Sequence, residues 1–220
     1  MTEGSNAAAG AALVTGTSSG LGRGLAQVML ERGQRVYGCS RRDSALEGLA
    51  EVRIDLTDHE AVPEALDGLL ADVSRLELVV LNAGILGEIR ELSATPLDDV
   101  KRVMEINVWS NKTVMDWLGQ AGKPIDQVIM ISSGAAVLGN RGWGGYALSK
   151  ATLNMLAKLY ASEMPDTHIV ALAPGIIDTA MMDHLCDEAD ASRFPALQRL
   201  RDARGTQAMP GPVEVAHQVL

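Results

Sequence analysis

The chain has 220 residues, 47% of them hydrophobic, which is enough to bury a sizeable core in one domain of ordinary size. Its formal net charge of -9 excludes a protein that grips a nucleic-acid backbone, because that binding needs a Lys/Arg surplus. The cysteines, Cys39 and Cys186, match no zinc or redox spacing, and the histidines match no metal spacing, so no metal site is expected.

No segment reaches about 18 uninterrupted apolar residues, and the start has no basic cluster followed by an apolar core. The expectation is a cytoplasmic protein with no membrane contact, and a reducing compartment fits the cysteine usage.

Residues 1–9 are small and polar, without periodicity, and read as a mobile tail ahead of a single domain over 10–220. From Gly10 onward, short apolar runs alternate with stretches of helical period. AALVT precedes a helix over 21–32, and RVYGCS a weak helical turn. VRID precedes a helix over 60–72, LELVVLNAG a long helix over 97–118, QVIMISS a helix over 145–164, and HIVALAP closes the series. Apolar strands joined through helices pair in parallel with both sheet faces covered, since each crossover needs about a dozen residues. The predicted fold class is therefore α/β, a doubly wound parallel sheet with helices on both faces. After Pro174 the pattern shifts to short, Met-rich and charged pieces, and about 176–210 reads as a substrate-covering segment before a fresh helix start at Pro212.

Directly after the first strand comes Thr15-Gly16-Thr17-Ser18-Ser19-Gly20-Leu21-Gly22, opening into a helix. Gly16 permits a tight turn, Gly20 lets backbone N–H groups approach a pyrophosphate, and Gly22 lets the helix pack close. The helix N-terminus adds the positive end of its dipole. Further on, Tyr146 and Lys150 stand four apart in GYALSKA, so on a helix they share a face. A nearby ammonium favours phenolate over phenol, which would bring the tyrosine pKa down from about 10 toward the working pH and suit it to proton transfer. QVIMISSG ends in two serines that a strand would point to opposite faces, so one of them faces the substrate.

These residues, in this order, resemble the short-chain dehydrogenase/reductase family. The resemblance covers roughly residues 10–182: the T-G-x-x-x-G-x-G run, Asn82-Ala83-Gly84 closing strand four, Asn107, the serine pair, Tyr146 with Lys150, and Pro174-Gly175-Ile176-Ile177-Asp178-Thr179. It implies a Rossmann-type sheet in the order 3-2-1-4-5-6. VEVAHQVL reads as the helix before the family's seventh strand, so either the sheet is short of that strand or the sequence stops before it.

The resemblance also assigns roles. Tyr146 is the general acid/base, Lys150 its tuner and a holder of the nicotinamide ribose, and Ser133 the substrate-orienting serine about thirteen residues before the tyrosine, with Ser132 structural. Asn107 helps hold a water that links the lysine to solvent. The cofactor contacts carried over are Gly16, Ser18, Ser19, Gly20, Leu21, Gly22, Leu56, Asn82, Ala83, Gly84, Tyr146, Lys150, Pro174, Gly175, Ile177 and Thr179. Asp55 has two readings, an adenine contact at the end of the third strand or a turn-capping carboxylate before Thr57.

NAD-preferring members close the second strand with an acidic residue; here the stretch is Gly38-Cys39-Ser40-Arg41-Arg42. A guanidinium pairs with a 2'-phosphate that a carboxylate would repel, so Ser40 and Arg41 point to NADP(H). LNAGILG, Arg141-Gly142-Trp143 and PGIIDTAMM look most like the sepiapterin reductase and benzil reductase branch, which implies a small apolar or aromatic ketone or 1,2-dicarbonyl as substrate. The expected pocket wall is Ile85, Leu86, Leu138, Trp143, Met181, Met182 and Leu185, with core packing the stronger reading for Leu185 and an equal one for Trp143.

Two alternatives stand beside a carbonyl reductase: a catalytically silent NADP-binding regulator, which would not need the catalytic residues together, and an epimerase, which would need a larger substrate domain. Apolar residues on the helices over 97–118 (Val103, Ile106, Val114, Trp117) and 145–164 (Leu153, Leu156, Leu159) resemble the surfaces through which family members form homodimers or homotetramers; packing on the sheet is the other reading.

Overall fold

The structure is a computed structural model that describes residues 10–188 and 192–220. The expected tail over 1–9 lies outside them. Six parallel strands form one sheet in the order β3-β2-β1-β4-β5-β6: β1 (Ala11–Thr15), β2 (Arg35–Ser40), β3 (Ala50–Arg53), β4 (Leu76–Leu81), β5 (Ile125–Ile131) and β6 (His168–Leu172). The central strands are continuous apolar runs because both of their faces are covered.

Alternation along each strand sends successive side chains to two separate cores. Leu13, Val79, Leu81, Val128 and Met130 join the layer with α2 (Ala61–Leu69), α4 (Ser110–Gln120) and α6 (Gly144–Glu163). Val14, Val80, Ile129 and Ile131 join the opposite layer, against Leu25, Met29 and Val215 of α1 (Gly20–Glu31) and α9 (Pro212–Val219). A third cluster of Leu86, Trp143, Leu185, Phe194, Leu197 and Leu200 brings α7 (Ala180–Glu188) and α8 (Pro195–Ala203) together with the turn before α6. Leu185 is fully buried there, which is the packing role.

Three local expectations are corrected. The stretch after β2 forms bends and turns rather than a helical turn, since Ser44 is tied sideways to Glu51 through its N–H and hydroxyl, both at 3.0 Å. The helix expected over 97–118 is α3 (Leu97–Met104), then a π-helical stretch Glu105–Trp109, then α4. The residue at the centre of that widened turn is Asn107, and such bulges concentrate at functional sites. Finally, β3 ends at Arg53 and β5 at Ile131, so Asp55, Ser132 and Ser133 sit just past their strands.

Candidate active site

The strand order reverses between β1 and β4, and a crevice opens past the carboxyl ends of the strands there, the ligand position expected for an open α/β sheet. Thr15 holds its edges together. Its buried hydroxyl accepts from the N–H groups of Asn82 (2.9 Å) and Ala83 (3.0 Å), while Asn82 Nδ2 donates to the Thr15 carbonyl (3.0 Å). Gly16 takes φ +77°, and a Cβ there would lie 3.0 Å from the Ala83 Cα. A Cβ on Gly22 would come within 2.3 Å of the Gly16 carbonyl oxygen, so α1 begins hard against the glycine turn because that residue has no side chain. Ser19 precedes α1 without a side-chain capping bond, leaving first-turn N–H groups available to an anion.

At the end of β2, Ser40 is buried and its hydroxyl donates to the Arg42 carbonyl, whereas Arg41 and Arg42 are exposed beside the cleft. Arg23 Nε donates to the Ser44 carbonyl (3.2 Å), which with Glu51 fixes the loop that carries both arginines. Asp55 is exposed, and its carboxylate accepts from the Thr57 N–H (3.0 Å) and hydroxyl (2.9 Å), bonds that hold its pKa below the usual carboxylate range. It therefore caps a turn while also bordering the cleft.

The segment after β4 is built by Asn107. Its Oδ1 accepts from the Ile85 N–H (2.8 Å), and its Nδ2 donates to the Ile85 carbonyl (2.8 Å) and to Ser149 Oγ (2.9 Å). Ser149 in turn donates to the Tyr146 carbonyl at 2.7 Å, so the π-helical turn, the strand-four loop and the Tyr146 turn of α6 are one hydrogen-bonded unit. The Asn107 main-chain carbonyl accepts from Asn111 Nδ2 at 2.7 Å. Gly84 passes close by: a Cβ there would stand 3.1 Å from Asn107 Oδ1 and 3.7 Å from Lys150 Nζ.

Tyr146 and Lys150 are both on α6 and both line the cleft with Ser133. Ser132 is buried and donates to Asn154 Oδ1 (2.5 Å), while Ser133 Oγ accepts from the Ala135 N–H (3.1 Å) and borders the cleft with Tyr146. Lys150 is 4% exposed; its Nζ donates to the Ile131 carbonyl (2.7 Å) and lies 5.7 Å from the Tyr146 ring centroid. Burial pushes the Tyr146 phenol above its ordinary value, with the neighbouring Ser133 hydroxyl pulling the other way, and burial brings the Lys150 ammonium down to about 8. Taking each group out of water penalises its charged form.

The cleft has a volume of about 690 Å³. Every predicted site residue lines it except Gly22 and Asn107, which act from behind, and Leu185, which is buried in the packing between α7 and α8. Ile85, Leu138, Trp143, Met181 and Met182 form one end with Leu86, and Trp143 stands 6.2 Å from Tyr146, ring centre to ring centre. Sequence reasoning missed Asn140, Ala196, Arg199 and Leu200, which border the same end. They carry no motif, and folding brings them there from positions far apart in the chain.

A glycine-lined anion cradle at the switch point of a parallel sheet, with Tyr, Lys and Ser at its centre, defines the class as a nicotinamide-dependent oxidoreductase fold. The chain belongs to the short-chain dehydrogenase family, whose model matches residues 10–190. It is 28% identical to the benzil reductase ((S)-benzoin forming) of Bacillus subtilis, over 94% of this chain and 90% of that protein. It is 29% identical to a benzil reductase of Saccharomyces cerevisiae, over 77% of this chain and 72% of the other. Among solved structures, the KRED1-Pglu enzyme superposes with a TM-score of 0.84 at 26% identity, covering 96% of this chain and 92% of that one.

Among the described residues, no helix is long and apolar enough to cross a membrane, and no three His, Cys, Asp or Glu side chains cluster as metal ligands would.

Proposed function

We propose that this protein is an NADP(H)-dependent carbonyl reductase acting on small apolar or aromatic ketones or 1,2-dicarbonyls. The observation that carries the reading is the convergence of Ser133, Tyr146 and Lys150 on one cleft whose other end is an anion cradle of small residues. Gly16, Ser18, Ser19, Gly20 and Leu21 would hold the pyrophosphate, and Asn82, Ala83, Gly84, Pro174, Gly175, Ile177 and Thr179 the nicotinamide half. Ser40 and Arg41 would take the 2'-phosphate, since the β2 end carries exposed guanidinium groups where NAD selection would call for a carboxylate.

When bound, the nicotinamide supplies the hydride that goes to the carbonyl carbon. Ser133 donates a hydrogen bond to the carbonyl oxygen and orients it. Tyr146 releases its phenolic proton to that oxygen, and the charge on Lys150 stabilises the phenolate left behind. Burial raises the Tyr146 pKa, so the phenol carries the proton that reduction requires. Leu86, Trp143, Met181 and Met182 would pack on the apolar body of the substrate, and the benzil reductase relatives point to the same substrate class.

We assign residues 10–220 to a single catalytic domain, with about 176–210 covering the substrate, and place the protein in the cytoplasm. A homodimer or homotetramer is also proposed, through the expected helices but with Leu159 joined by residues other than the buried ones named from the sequence. Val114, Trp117 and Leu153 are buried on the sheet, whereas Trp109 (42% exposed) and Leu148, Met155 and Leu159 (48%, 54% and 53%), the last three along one face of α6, form an uncovered apolar surface.

The test is oxidation of NADPH, beside NADH, with benzil, other aromatic 1,2-diketones and sepiapterin. Turnover that prefers NADPH and falls at least about a hundredfold in Tyr146→Phe supports the assignment. Tight NADPH binding without turnover of any of them would move the protein to the silent regulator, and preference for NADH would overturn the role of Arg41.

A further inference from the structure

Arg199 lies on α8, which turns Ala196, Arg199 and Leu200 toward the cleft at the i, i+3, i+4 spacing of one helical face. The neighbouring cations are neutralised: Glu91 takes Arg141 and Arg193, and Asp183 takes Arg204. Among the described residues, the partner of Arg199 is uncharged, Asn140 Oδ1 at 3.4 Å, which leaves most of its guanidinium donors to be used. Arg41 and Arg42 belong to the other half of the cleft, past β2, three strands away from β5. Among the described residues, the one carboxylate bordering the cleft, Asp55, is also on that far side, past β3.

Asn140 borders the same wall, so a guanidinium and an amide stand beside the apolar residues Leu86, Met181, Met182 and Leu200.

We propose that Arg199, steadied by Asn140, is an anion anchor, and that the preferred substrate is a carbonyl compound bearing a carboxylate, with an apolar spacer between it and the reacting carbonyl. The planar fork of the guanidinium matches a carboxylate, and the Leu and Met side chains that line the cleft with Arg199 and Tyr146 suit the spacer. This rests on the reductase reading above and narrows its substrate class.

A matched pair of probes tests it: benzil bearing one para-carboxylate, and its methyl ester. In the unmodified enzyme kcat/KM for the acid exceeds that for the ester by about tenfold, the effect of one charge-assisted contact at a half-open site. The ratio shrinks as salt is added. It falls to near unity in Arg199→Gln and is partly restored in Arg199→Lys. Equal kcat/KM for the two probes, or a preference that survives Arg199→Gln, overturns the anchor while the Tyr146-dependent reduction of the ester keeps the reductase reading intact. If neither probe is reduced, nor any other dicarbonyl, the reductase reading falls and the anchor with it.

Discussion

Lys150 and Ile131 are joined by a 2.7 Å hydrogen bond from the lysine ammonium to the main-chain carbonyl at the end of β5. The bond ties α6 to the sheet one turn beyond Tyr146 and holds a cation where just 4% of its surface meets solvent. Burial there lowers the Lys150 pKa to about 8, so its charge is present below that pH and lost above it.

On the proposed mechanism that charge stabilises a developing phenolate, so kcat/KM for NADPH-dependent reduction is expected to fall as pH rises through about 8. In Lys150→Arg, whose guanidinium stays charged, any remaining activity lacks this descending limb. A pH profile of both enzymes measures it; an unchanged profile in the variant would place the titration elsewhere.

The same shift makes a stability prediction. Unfolded lysine keeps its proton to about 10.4, while the folded residue gives it up near 8, so the unfolded state binds more protons between those values and stability rises with pH across that window. Below about 8 the buried charge costs on the order of 3 kcal/mol relative to the unfolded state. The stability difference between the unmodified protein and Lys150→Met, followed by denaturant unfolding from pH 7 to 10.5, therefore moves in favour of the unmodified protein as pH rises.

Asn107 satisfies both main-chain groups of Ile85 and bonds Ser149 from a fully buried position. Asn107→Ala leaves those partners unmatched and is expected to destabilise the protein by about 2–4 kcal/mol. Hydrogen exchange gives the specific readout: the Ile85 amide exchanges faster, while amides in the middle of β1 change only by the global loss.

Arg41 is exposed beside the cleft at the end of β2. Arg41→Ala should raise KM for NADPH about tenfold and leave KM for NADH within about twofold, because the contact is to a phosphate that NADH lacks. Arg42→Ala, measured alongside, should have the smaller effect.

Much of the fold is legible in the chain because its causes are local. Continuous apolar strands between helical stretches mark a sheet covered on both sides, and Leu13 and Val14, adjacent in sequence, enter opposite cores as the pleat requires. Gly16, Gly20 and Gly22 are readable because each answers a steric demand within a few residues, and Tyr146 and Lys150 because four residues on a helix make one face. The π-helical turn was not readable: Asn107 makes its bonds to Ile85, 22 residues away, and to Ser149, 42 away.

What the sequence by itself determined is the alternation of elements, the glycine turn and the shared helix face of Tyr146 and Lys150, since these follow from backbone sterics and short-range periodicity. Tertiary structure decided how those side chains behave. Desolvation, which depends on everything packed around a group, moves Tyr146 up and Lys150 down. Chain closure sets Arg199 beside Asn140, 59 residues earlier, and turns two unremarkable polar residues into part of the cleft wall.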